Sequence, residues 1–162
     1  MGHGDLENAK FVIDQTAGWI RHADAKVAIL ATAVAVVVGF LVADVAAAIA
    51  AVRAATTWSG LIAFFCVASV IAAVITTIFL VSAIVARTES TAAGNRFSWP
   101  DLASGGWPAR RDDFDVEAKE QAEHLARLAK LKFRNFNKAF YAFLVLLALA
   151  AATILSVGAA TS

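Results

Sequence analysis

The chain has 162 residues, 60% of them hydrophobic and 17% charged, with a formal net charge of +1. Soluble domains sit nearer half and a quarter on those two measures, so this composition excludes an ordinary water-soluble globule and points to a bilayer as solvent. The near-zero net charge hides a segregation, because between Lys26 and Arg87 only Asp44 and Arg53 are charged, and nothing is charged after Lys138.

Along residues 1–26, Leu6, Ala9, Ile13, Thr16, Ile20, Ala23 and then Val27 recur at alternating steps of three and four, the spacing of one helix face. This predicts a cytoplasmic amphipathic helix that runs unbroken into a first membrane span at 27–52. A short outer loop at 53–60 leads to a second span at 61–86. Each run meets or exceeds the ~20 residues that cross ~30 Å of hydrocarbon as a helix. Helix is required there, since lipid offers backbone N–H and C=O groups no partner. The polar stretch before the first run, and that run's length, argue against a cleaved signal peptide.

In residues 87–112 the periodicity vanishes. Gly94, Asn95, Pro100, the Gly105–Gly106 pair and Pro108 mark an irregular cytoplasmic loop. A second cytoplasmic helix is expected over 113–138, opened by the acidic cluster Asp112, Asp113, Asp115 and Glu117, which suits a helix N-terminus. Its apolar face reads Ala118, Ala122, Leu125, Leu128 or Ala129, then Phe133 and Phe136. Arg127, Lys130, Lys132, Arg134 and Lys138 gather at its end, suiting the helix C-terminus and anionic inner-leaflet lipid. A third span at 139–158 and an outer tail at 159–162 complete the chain. The fold class expected is an all-α integral membrane protein with three transmembrane helices, two cytoplasmic helical extensions forming a stalk, and an irregular cytoplasmic loop. Ten of the Lys and Arg residues lie from Arg87 to Lys138 and three precede the first span, so the positive-inside rule places the N-terminus in the cytoplasm and the C-terminus outside.

Enzyme signatures are missing. There is no P-loop, G-x-G-x-x-G or H-E-x-x-H, and His3, His22 and His124 lie far apart, so the expectation is that the chain is not an enzyme and carries neither cofactor nor metal. Asp113, Asp115 and Glu117 lack the glycine and later glutamate of a calcium loop. Cys66, the single cysteine, has no partner within the chain for a disulfide. Spans two and three hold no ionisable group and Asp44 sits toward the outer end of the first, which argues against an ion relay within one subunit. Ser69, Ala73, Thr76 and Leu80, with Ala72 and Ala83, form a small-residue ridge suited to close helix packing, within or between subunits.

The stretch Trp19 to Lys26 sets an aromatic ring and five ionisable groups against the first span. An interfacial anchor accounts for Trp19, Arg21, His22 and Lys26 but leaves Asp24 unexplained, because a carboxylate gains nothing from anionic headgroups. Asp24 is better explained by a cation at similar depth, and Lys132 or Arg134 at the base of the second cytoplasmic helix would supply one.

W-I-x-x-A-D-A-K (Trp19 to Lys26), N-R-F-S-W-P-D-L-A (Asn95 to Ala103) and L-A-x-L-A-x-x-K-F (Leu125 to Phe133) occur in that order. Together they resemble the Pycsar transmembrane effectors of bacterial anti-phage defence over nearly the whole chain. This chain reads Phe97-Ser98-Trp99-Pro100 where many relatives carry an aromatic pair followed by glycine. The resemblance implies an inner-membrane effector that senses a cyclic pyrimidine mononucleotide, cyclic CMP or cyclic UMP, made by a partner cyclase, and then impairs the membrane. Such a ligand carries one phosphodiester charge and a flat base, so its receptor needs cationic donors, a stacking surface and polar groups for the base edge. Arg21, Lys26 or Lys132 would take the phosphate. Phe97 or Trp99 would stack, with Trp19 beside them, and Asn95, Asp24 or Asp101 would read base and sugar. Phe97, Trp99 and Trp107 equally suit a loop resting at headgroup level, and Lys132 equally suits a salt bridge. Three uncharged spans can hardly enclose a polar pore alone, so a homo-oligomer is expected. A different class of function, a constitutive membrane scaffold or accessory subunit binding a protein partner or anionic lipid, fits the same composition.

Overall fold

The computed structural model describes residues 3–54, 58–85 and 114–161. Among these, four helices account for the fold: α1 (His3–Ala43), α2 (Val45–Arg53), α3 (Ser59–Val85) and α4 (Phe114–Thr161). Three of them carry stretches long and apolar enough to cross a membrane, within Lys10–Ala43, Ser59–Val85 and Val116–Ala160. The protein is therefore an all-α membrane protein, as charge segregation indicates.

Both amphipathic stretches continue into their apolar runs without interruption. α1 passes through the boundary at Lys26, and α4 holds 48 residues in one helix. No glycine or proline occurs in α4 before Gly158, so nothing in its sequence breaks the i→i−4 ladder. The first apolar run, by contrast, turns at Asp44, which separates α1 from α2. Its amide donates to the Phe40 carbonyl at 3.1 Å and its carbonyl accepts from the Ala48 amide at 3.0 Å.

The chain divides into two compact units, one of Met1–Ala25 with Ile84–Arg134, the other of Lys26–Ala83 with Asn135–Ser162. In the second, α1, α3 and α4 pack as a three-helix bundle around Val27, Leu30, Val34, Ala72, Leu80, Ala83, Ala139 and Leu146. A smaller cluster of Ala48, Ala51, Ile62 and Val157 joins α2 to α3 and α4. The small-residue ridge of α3 is thus spent inside the chain. Ile62, Ser69, Thr76 and Ala83, seven residues apart, are all but fully buried. That spacing is the seam of left-handed helix packing. In lipid it draws its stability from close contact of small side chains rather than from water exclusion. Val36, Phe40, Phe64, Ile71, Ile78 and Leu155 face outward, as a lipid-covered surface requires.

Polar ties fix the bundle's ends. The Asn135 amide donates to the Ser82 carbonyl at 3.3 Å, satisfying one of the last four carbonyls of α3, and the Lys138 ammonium lies 5.5 Å from the centre of the Phe79 ring. Toward the other end, the Ser59 hydroxyl donates to the Ala51 carbonyl at 3.3 Å.

Candidate functional site

In the first unit the helix faces are narrow and built from small side chains. α1 buries Thr16 and Ala23, while α4 buries Ala118, Gln121, Ala122, Ala129 and Lys132. Thr16 manages burial by donating its hydroxyl proton to the Val12 carbonyl at 2.7 Å, the back-bond open to a threonine inside a helix. The seam of α4 departs from the sequence reading after Ala129. It passes through Lys132, whereas Phe133 and Phe136 are only half-buried.

A lysine can occupy that inward position because Asp24 meets it. Lys132 Nζ donates to Asp24 Oδ1 at 2.5 Å, joining α1 to α4 across 108 residues of sequence. The pair is lopsided, with 10% of the lysine side chain exposed against 50% of the aspartate's. The ammonium has left water and depends on the carboxylate, which still reaches solvent. By comparison Glu123 and Arg127, a turn apart on the outer side of α4 at 3.6 Å, are both well exposed and contribute little.

A second feature lies on α1 alone. Phe11, Asp14, Gln15, Gly18, Trp19 and His22 line an open groove of about 330 Å³. Gly18 forms its floor, and a Cβ there would meet nothing within 4 Å. Phe11 and Trp19 are 67% and 53% exposed, which is unusual for rings of that size. Two π faces flank three polar side chains, one of them an imidazole. This is the lining of a site for a flat heterocycle with hydrogen-bonding edges. Its volume lies at the lower end of the ~300–1,000 Å³ common for small-molecule sites.

Of the residues singled out from sequence, Trp19 is in this groove, and Asp24 and Lys132 form the ion pair. Arg21 is exposed on α1, and Lys26, also exposed, falls in the second unit. Asn95, Phe97, Trp99 and Asp101 lie outside the described residues. Phe11, Asp14, Gln15, Gly18 and His22 were not anticipated, although Phe11, Gln15, Gly18 and His22 recur at steps of four, three and four, a second stripe on the same helix. Among the described residues, no three His, Cys, Asp or Glu side chains cluster as metal ligands would.

A family model described as the Pycsar effector protein domain matches residues 8–159. No curated protein and no solved structure matches the chain.

Proposed function

The chain belongs to the Pycsar effector family and so has the role of an effector in anti-phage defence, and on that premise we propose that it senses a cyclic pyrimidine mononucleotide through its first unit and impairs the inner membrane in response. The observation that carries the sensing step is the α1 groove. Its aromatic flanks suit the base, Asp14, Gln15 and His22 offer donors and acceptors to the base edge, and Arg21 and Lys132 bring positive charge for the single phosphodiester. Asp24, Lys26, Asn95, Phe97, Trp99 and Asp101 are further contributors in this reading, the aromatic pair by stacking and the others by polar contacts.

Lys132 has a distinct part. Its ammonium carries three donors and Asp24 takes one, so an incoming phosphate can share or displace the carboxylate. A ligand that does so changes what holds α1 to α4. It shifts the protein between states only to the extent that it binds one better than the other. Several copies acting together would then open a path for ions or disturb lipid.

Calorimetric titration of the detergent-solubilised protein with cyclic CMP and cyclic UMP tests the sensing step. Wild type is expected to bind one of them with saturable heat, and Trp19→Ala to weaken that binding at least about tenfold, given ~1–3 kcal/mol per stacked base. Absence of binding by wild type would overturn the proposal. In cells, Lys132→Ala should insert normally yet fail to depolarise the membrane when nucleotide is present.

A further inference from the structure

Asp44 is the one carboxylate in the apolar run of α1 and α2, and its register is unexpected for a charge. Val27, Leu30, Val34, Leu41, Ala48 and Ala51 mark the inward seam of this run in steps of three and four or multiples of seven, and all are buried or packed on the core. Leu30, Asp44 and Ala51 fall in one seven-residue series, so Asp44 occupies an inward position. Its depth is within the hydrocarbon, since seventeen residues from Val27 rise only about 26 Å. An apolar cluster also lies beyond it, formed by Ala48, Ala51, Ile62 and Val157.

The two apolar clusters of the bundle leave a gap at one level. On α1 it falls between Leu41 and Ala48, on α3 between Cys66 and Ala72, and on α4 between Leu149 and Val157. Asp44, Ser69 and Thr153 fill those gaps, one polar residue per strand of the bundle. Ser69 and Thr153 are 1% and 3% exposed, and their oxygens are 3.4 Å apart.

Proton counting gives this layer a sign. Thr153 donates its hydroxyl proton to the Leu149 carbonyl at 2.9 Å, so the bond between the two hydroxyls takes its proton from Ser69. Ser69 Oγ is then left with lone pairs that no donor among the described residues fills. The Asp44 carboxylate makes no capping bond to α2, although it precedes that helix. The layer therefore offers oxygen acceptors and no free donor. A carboxylate held in hydrocarbon without a countercharge is strongly disfavoured. One negative charge and a set of hard oxygens match a singly charged cation.

We propose that Asp44 and the Ser69 hydroxyl form a site for a monovalent alkali cation inside the membrane bundle. It is independent of nucleotide sensing and uses none of the residues of the α1 groove. Ion occupancy ties the α1–α2 turn to α3 and lets the seam close over a neutral centre.

The test is the thermal unfolding of the full-length protein in detergent, with NaCl or KCl titrated against choline chloride at constant ionic strength. Wild type should show a saturable rise in unfolding temperature with Na+ or K+ that choline does not reproduce. Asp44→Asn should lose it entirely, and Ser69→Ala should need about tenfold more salt for the same rise. If Asp44→Asn does not fold, retention of radioactive sodium by wild type and by Ser69→Ala decides the matter. An equal response in alkali and choline salts, the result if Asp44 simply holds a proton, overturns the proposal. So does an Asp44→Asn variant that responds like wild type, or wild type that retains no sodium.

Discussion

Lys132 shows how one residue can be misassigned by type and rescued by its partner. Lysines are ordinarily given to the solvent face of a helix, so the seam of α4 was drawn through Phe133, but burial follows Lys132 because Asp24 is there to neutralise it. Removing Asp24 should cost more than removing the pair. Asp24→Ala leaves a buried ammonium unpaired and is expected to destabilise the protein by about 1–3 kcal/mol, below the value for a fully buried pair because the carboxylate is half in water. Lys132→Met in the Asp24→Asn background should recover most of that loss, measured as urea midpoints in mixed micelles. The pair itself was legible because Asp24 was the residue an interfacial anchor left unexplained. The groove was not, because a short stripe containing Gly18 and Gln15 carries too little hydrophobic contrast to stand out beside the stronger face through Ile13, Thr16 and Ile20.

At the scale of elements, helix continuity was readable in advance. The three-and-four spacing before the membrane never loses phase with the apolar run, and α1 and α4 duly pass through both boundaries as single helices. The turn at Asp44 was not, since the local sequence Val42-Ala43-Asp44-Val45 contains neither glycine nor proline to announce it. Phase also determines the α3–α4 contact. Inserting one alanine between Leu149 and Ala150 would rotate everything after it by about 100° and carry Thr153 off the seam, away from Ser69. Such a variant should still insert, having lost no apolar length, but its unfolding transition should broaden and move down. The same insertion after Gly158, beyond the last buried seam residue Val157, should leave the transition where it is.

For the whole molecule, where the charges lie decided the solvent, and the solvent decided the fold class. With water excluded from the spans, only helices satisfy the backbone, and three apolar runs give three crossings. Orientation rests on the excess of Lys and Arg between Arg87 and Lys138. A C-terminal alkaline phosphatase fusion should accordingly be active and a C-terminal green fluorescent protein fusion dark, whereas an N-terminal fluorescent fusion should shine. The reverse pattern would put the groove on the wrong side for a cytoplasmic signal. A last consequence follows from the length of α3. Its 27 residues measure about 40 Å, some 10 Å more than an average hydrocarbon layer. The helix must lean or thicken the lipid around it, and its neighbours in the bundle lean with it. Acyl-chain length thus becomes a control on this effector, with thick, long-chain membranes relieving the mismatch and thin ones sharpening it.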